Sequence, residues 1–170
     1  DTAAAQLPTL QSAYDTAQSQ AQSLQESAAA LEGQQTALQS EYNEKSAAAG
    51  AKRAEETAAN DRAAQYRTER GAKETEKNNA QARLALIPGE ISAQDQIIND
   101  ANATEEQKQA AREQKTRLEK EQAELQTKIT QLGNEMSELD TKISGEETAA
   151  QNAANDAKQL EGALPGLQEK

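Results

Sequence analysis

The sequence contains no cysteine and no histidine, and both absences narrow the possible chemistry. Without cysteine there is no disulfide and no thiolate, and without histidine the commonest general base and transition-metal ligand are missing. The many carboxylates lie among polar helix-forming residues, without the apolar pocket that tunes a catalytic pair. Neither a glycine-rich phosphate loop nor a calcium-loop spacing is present. We therefore predict a protein that is not an enzyme and that binds no metal, no cofactor and no small-molecule substrate.

Large side chains that would fill a thick core are also scarce. The 170 residues include no phenylalanine, tryptophan or valine, one methionine and three tyrosines, and only 35% are hydrophobic. The missing types favour strands, whereas the abundant alanine, glutamine and glutamate favour helices. A net charge of −11 argues against binding to nucleic acid or to anionic lipid. Composition therefore favours an all-α fold with a thin core.

Apolar residues recur at alternating intervals of four and three, the pattern of a helix that packs along one seam. In the first half of the chain this pattern runs from Leu10 to Tyr42. In the second half it runs from Ala111 to Ile143 and on to Leu164. Beyond Tyr42 we predict that the first seam continues in alanine, through Ala47, Ala51, Ala54 and Ala58.

A cluster of branched apolar residues surrounds Pro88 and Gly89, in the middle of the chain. Because proline interrupts a helix and glycine favours turns, this pair predicts a hairpin tip. Residues 1–170 then form one elongated helical domain, either an extended antiparallel coiled-coil hairpin or an elongated three-helix bundle. The predicted elements, in chain order, are a first arm, a tip with a short helix, and a return arm: 8–86, 87–103 and 104–164.

If residues 86 and 104 are placed side by side at the tip, the first predicted arm extends further than the return arm. The leucines of the return arm then face the alanine-rich residues 47–72, and residues 8–25 face nothing. Because an apolar stripe tends to be covered, we expect one of two arrangements. Either the first arm bends near Gly33 or Gly50 to supply a third helix, or the overhang packs on a second copy of the chain.

Two sequence features are candidate sites. The branched residues around Pro88 either dock a protein partner or form a small core that closes the hairpin. Asn102 begins an N-glycosylation sequon, although a turn followed by a helix cap explains the same residues, since Thr104 and Gln107 fit a capping box. The candidate tip residues are Leu84, Leu86, Ile87, Ile91, Ile97 and Ile98.

The alanine runs, such as 47–49 and 58–59 beside Glu55 and Glu56, resemble those of the GPI-anchored alanine-rich coat proteins of trypanosome insect stages, such as the glutamic acid/alanine-rich protein. The resemblance implies a helical bundle that stands on a membrane, with its C-terminal end near the lipid, and shields the cell. No stretch approaches the roughly 20 apolar residues of a membrane span. We therefore expect membrane attachment only through an anchor that this chain does not carry.

A second resemblance is local. Arg83-Leu84 followed by Ile91-Ser92-Ala93-Gln94-Asp95 is similar to the hairpin tip of periplasmic adaptor proteins of tripartite efflux and secretion systems. In that family the tip contacts an outer-membrane channel, so the resemblance implies that Arg83, Leu84 and Ser92 are contact residues. The strand-rich lipoyl and barrel domains of the family have no counterpart here.

From these observations we expect a non-enzymatic structural protein, extracellular or at the cell surface, which acts as a rigid spacer or coat and presents its tip away from the termini. The alternative is a periplasmic coiled-coil adaptor whose tip, residues 84–98, binds a protein partner. In either case we expect a protein partner or self-association through the helical seams.

Overall fold

Helix α1 accounts for more than half of the chain. The computed structural model describes residues 2–168, and within them α1 spans Thr2–Asn99, α2 spans Glu105–Ala163 and the short α3 spans Pro165–Gln168. No strand occurs among residues 2–168. Helices α1 and α2 pack against each other in opposite directions, which confirms the predicted all-α helical hairpin. None of the described helices contains a stretch long and apolar enough to cross a membrane.

The turn between α1 and α2 is short and is held by its own side chains. Asp100 Oδ1 accepts a hydrogen bond of 2.9 Å from the backbone N–H of Asn102. The backbone N–H of Gln107 donates to Thr104 Oγ1 at 3.2 Å, and the backbone N–H of Thr104 donates to Gln107 Oε1 at 2.8 Å. This reciprocal arrangement satisfies two N–H groups at the start of α2. It confirms the predicted capping box.

The predicted hairpin tip at Pro88 and Gly89 is wrong, because α1 continues through both residues to Asn99 and no separate short helix forms. A proline inside a helix removes one hydrogen bond and crowds the preceding turn, so something must compensate. Packing does so here: Ile87, next to the proline, is 0% exposed. Gly33 and Gly50 both lie within α1, so the helix does not break at either residue to supply a third helix.

Moving the turn from Pro88 to residues 100–104 changes which residues face each other. Arg83 pairs with Glu121, and Lys73 pairs with Glu135. Arg70 pairs with Asp140, next to Leu139, so the leucines of α2 in the hairpin unit lie beside α1 from about residue 70 to Pro88 and not along residues 47–72 as a whole. The predicted matching of large residues with small ones is wrong as stated, because the register shifts with the turn.

The packing divides the chain into two units, which are described separately. The hairpin unit comprises residues 55–152, and the terminal unit comprises residues 1–54 and 153–170. The described hydrophobic residues that are buried in the terminal unit are all alanines: Ala49, Ala153, Ala154 and Ala157. Those buried in the hairpin unit include larger side chains: Ala59, Ala63, Ala80, Ile87, Ala111, Leu118, Leu132, Leu139 and Ala150.

The α1 seam of the terminal unit does not follow the predicted alanines, because Ala47, Ala51 and Ala54 are exposed. Ala58, in the hairpin unit, is exposed as well. From Tyr42 the seam keeps the same alternating interval and passes through lysines, whose aliphatic stems pack while their charged ends stay near solvent. The half-buried and buried seam residues of this stretch are Tyr42, Lys45, Ala49 and Lys52.

Candidate functional site

Ion pairs between α1 and α2 run along the hairpin unit. Each joins residues that are far apart in sequence, so together they fix which turn of α1 lies beside which turn of α2. The distances between the paired nitrogen and oxygen atoms lie between 2.6 and 2.8 Å. The pairs are Arg62–Glu146, Arg70–Asp140, Lys73–Glu135, Glu76–Lys128, Arg83–Glu121 and Asp95–Lys115.

Two of these pairs favour the charged form of their carboxylates through a lowered pKa. The hydrogen bond from Arg62 lowers the pKa of Glu146 below its ordinary value, and the hydrogen bond from Lys73 lowers the pKa of Glu135. Lys73 shows the reciprocal effect, since Glu135 raises its pKa. Pairs of this kind near solvent contribute little energy one by one. Together they fix the register of α1 against α2, because a shift of one helical turn would break every pair of the series.

Arg83 forms the most heavily connected ion-pair cluster of the hairpin unit. Its Nε donates to Glu121 Oε1 at 2.7 Å and its Nη2 donates to Glu121 Oε2 at 2.9 Å, a two-point contact that fits the planar guanidinium. The same side chain donates to Glu90 Oε2 at 3.0 Å. Glu121 and then Glu90 raise the pKa of Arg83, and Arg83 lowers the pKa of both carboxyls. Because residues 83 and 90 flank Pro88, the cluster bridges the proline and ties it to α2.

The candidate tip residues do not share one environment. Ile87 is 0% exposed, and Leu84, Ile91 and Ile98 are half-buried along the α1 seam. Leu86 and Ile97 are exposed at 61% and 40%. All six belong to the last five turns of α1, and the turn itself lies beyond them at residues 100–104.

Leu86 and Ile97 point to the same side of α1. They are 11 residues apart, which at 3.6 residues per turn is close to three whole turns and a distance of about 16 Å along the axis. Ala93 lies on the same line between them and is also exposed. The sequence cluster therefore contains a small outward-facing apolar patch, which comprises Leu86, Ala93 and Ile97.

The residues that the efflux-adaptor resemblance implies as contacts are also separated. Arg83 is engaged with Glu90 and Glu121, Leu84 is half-buried, and Ser92 is exposed. Asn102 is exposed within the turn, and the hydroxyl of Thr104 in its sequon accepts the capping hydrogen bond. Glycosylation of Asn102 stays a prediction.

The largest uncovered apolar feature lies in the terminal unit, on the first part of α1. Its leucines and tyrosine are exposed at 64 to 71%, although such side chains usually lie in a core. The predicted overhang, residues 8–25, falls within this feature, which extends further to Leu31. We call it the N-terminal stripe, and its residues are Leu7, Leu10, Tyr14, Ala17, Ala21, Leu24, Ala28 and Leu31.

The stripe ends where α3 begins to cover α1. Leu31, Leu38 and Tyr42 line one shallow groove with Leu167 of α3. Leu38 and Tyr42 are half-buried there, whereas Leu31 is still exposed at 64%. Coverage of the α1 seam therefore begins close to residue 38 in the terminal unit.

Among the described residues no group of three acidic, histidine or cysteine side chains is arranged to hold a metal ion. Comparison of the chain with protein-family models, with curated proteins and with solved structures returned no match. The class of protein is therefore defined by its architecture, an all-α antiparallel helical hairpin whose surface features are the ion-pair series, the Leu86–Ile97 patch and the N-terminal stripe.

Proposed function

We propose that this chain is a non-enzymatic structural protein, extracellular or at the cell surface, whose hairpin unit serves as a rigid helical spacer. The observation that carries the proposal is the ion-pair series along the hairpin unit. It includes a cluster built around Arg83 beside Pro88, a proline in the interior of α1. A chain that must hold a fixed length needs this kind of reinforcement where its helix is weakest. The net charge of −11 adds electrostatic repulsion, which keeps neighbouring copies apart as a coat or spacer requires.

A distance measurement between spin labels tests the proposal directly. The chain has no native cysteine, so Ala58→Cys and Gln96→Cys, both exposed on α1, place labels cleanly on either side of Pro88. At 1.5 Å per residue the 38 intervening steps correspond to about 57 Å. A rigid spacer gives a narrow distance distribution at that value.

The matched control uses Ala58→Cys with Ala85→Cys, which lie on the same helix without crossing the proline. Their expected separation is about 40 Å. If the control pair gave a narrow distribution and the pair across Pro88 a broad or much shorter one, the hairpin unit would be hinged and the spacer proposal would fail.

A second candidate function, an adaptor that binds a protein partner near its turn, draws on the exposed Leu86 and Ile97. Their alignment on one side of α1 gives a partner two apolar anchors about 16 Å apart. Photo-crosslinking from residue 97 in producing cells tests this function, with exposed Glu119 on α2 as the control position. One discrete crosslinked protein from residue 97, absent from residue 119, would favour the adaptor, and none would favour the spacer.

A further inference from the structure

We propose that the N-terminal stripe is the contact surface of an antiparallel homodimer, in which residues 7–31 of α1 pack on the same residues of a second copy. This assembly goes beyond the proposed spacer function and does not depend on it. Three observations carry the inference: the stripe continues a seam that is already an interface, each of its residues meets another apolar residue when the stripe pairs with itself, and its flanking residues are uncharged.

Continuity with the covered seam is the first observation. In the terminal unit, α2 and α3 cover the α1 seam at Tyr42, Lys45, Ala49 and Lys52. Counting back from Tyr42 at alternating intervals of four and three passes through Leu38 and Gln35 and reaches every residue of the stripe. The stripe is thus the same helix face in the same phase, without its partner helix. A heptad seam of this kind is built to receive another helix.

Apolar self-pairing is the second observation. In an antiparallel pair with its two-fold axis near residue 19, the stripe pairs with itself in layers, and no layer lacks a partner. The outermost layer joins leucine to leucine, the next joins leucine to alanine, the third joins tyrosine to leucine, and the central layer joins two alanines. The paired residues, the second belonging to the other copy, are Leu7 with Leu31, Leu10 with Ala28, Tyr14 with Leu24, and Ala17 with Ala21.

The flanking positions supply the third observation and decide between a second copy and a different helix. In this register Gln18 faces Gln18 of the second copy across the two-fold axis, and Gln11 faces Gln25. A glutamine amide is both donor and acceptor, so two of them satisfy each other. Residues 1–44 contain no lysine or arginine, and the acidic Asp15 and Glu26 lie on the outer face. Like segments therefore meet without charge repulsion, and a basic partner helix would gain few ion pairs at these flanks.

The mass of the full-length chain as a function of concentration tests the dimer. We expect sedimentation equilibrium to show a reversible transition from 18.2 kDa to twice that mass. Leu24→Glu places a charge in two symmetry-related layers and should raise the dissociation constant about 100-fold or more. Ser19→Glu, on the outer face of the same helix, should leave it within about twofold. Leu24 is 71% exposed, so its replacement leaves the hairpin intact, and urea unfolding of both variants monitors this.

Crosslinking tests the antiparallel register. Gln18→Cys should form a dimer through a short thiol crosslinker, because the two copies of residue 18 meet at the axis. Ser19→Cys, one residue away, points outward and should remain uncrosslinked. The proposal is overturned by a chain that stays monomeric at every soluble concentration, by a dimer unaffected by Leu24→Glu, or by crosslinking at residue 19 that equals crosslinking at residue 18. A parallel dimer keeps the two copies of residue 18 apart, so a dimer without the residue 18 crosslink also overturns it.

Discussion

In the hairpin unit the seam buries Ile87, Leu118 and Leu132 almost completely, whereas in the terminal unit the leucines of the N-terminal stripe are exposed and the buried residues are alanines. Both units use the same alternating interval and the same helix-forming composition. They differ in whether a second helix lies along the large apolar residues. One sequence pattern thus has two outcomes: it closes the hairpin unit within one chain, and it leaves the terminal unit with an exposed apolar face.

The difference has an energetic consequence. Burying a leucine or isoleucine side chain stabilises a fold by about 1.5 to 3 kcal/mol, and burying an alanine methyl group by less than about 1 kcal/mol. We infer that the hairpin unit holds most of the folding free energy of the single chain. The buried residues of the terminal unit are small. Its stability therefore depends more on how closely its helices approach each other than on the apolar area that they bury.

The largest expected effect comes from truncating the seam of the hairpin unit. Ile87→Ala should lower the free energy of unfolding by about 2 to 5 kcal/mol, because it removes a fully buried side chain and leaves a cavity beside Pro88. The matched control is Leu86→Ala, one residue away and 61% exposed, which should change stability by less than about 0.5 kcal/mol. Urea unfolding followed by circular dichroism measures both. Equal effects of the two substitutions would contradict the placement of Ile87 in the seam.

Enlarging the seam of the terminal unit should have the next largest effect. Ala157 is 0% exposed, so Ala157→Leu must push the helices apart and should cost about 1 to 3 kcal/mol. Ala51→Leu, at an exposed position of the same unit, serves as control and should be nearly neutral. Thermal melting of the two variants compares them. A stabilised Ala157→Leu variant would mean that this seam is loosely packed, and would remove the contrast between the two units.

Most of the fold was predictable from the periodicity of the apolar residues in the sequence. The heptad pattern correctly predicts two long antiparallel helices, and Thr104 with Gln107 marks the start of α2 because a capping box is a local device. Pro88 misled the prediction, since its local preference for ending a helix is outweighed by packing of Ile87 and by the ion pairs of Arg83. The pair between Arg83 and Glu121 is made across the hairpin, between residues 38 positions apart in sequence, so no local signal contains it.

The candidate sites show the same division between local and long-range information. The overhang was predictable from the lengths of the two predicted arms, although its extent to Leu31 depended on the position of the turn. The course of the seam beyond Tyr42 was not predicted, because Lys45 and Lys52 occupy seam positions. A search for apolar residues alone selects the neighbouring alanines instead. Lys52 lies 3.7 Å from Asp156 of α2. The feature that could have revealed this seam position is therefore a lysine whose acidic partner is far away in sequence.

A smaller effect tests whether α1 is continuous in the hairpin unit. No atom outside the local helix backbone lies within 4 Å of a Cβ added at Gly89, and no described glycine has a positive φ. Gly89→Ala should therefore stabilise the chain by about 0.5 to 1 kcal/mol, since alanine loses less backbone entropy in a helix. Urea unfolding measures the change. If residue 89 were part of a turn, as its sequence suggests, the substitution would destabilise the chain.

The last prediction concerns a single carboxyl group of the hairpin unit. Arg83 lowers the pKa of Glu121 from its ordinary value of 4.5, so Arg83→Gln should raise that pKa back towards 4.5. Because the native pKa lies below that of the unfolded chain, the pair stabilises the fold above about pH 4.5 and loses this contribution as the pH falls through the native pKa. Carbon-detected NMR titration of the glutamate side chains measures the shift. Arg62→Gln is the control: it should raise the pKa of Glu146 and leave that of Glu121 unchanged. A Glu121 pKa that does not respond to Arg83→Gln would show that the cluster beside Pro88 does not form in solution, and the continuity of α1 would then depend on Ile87 alone.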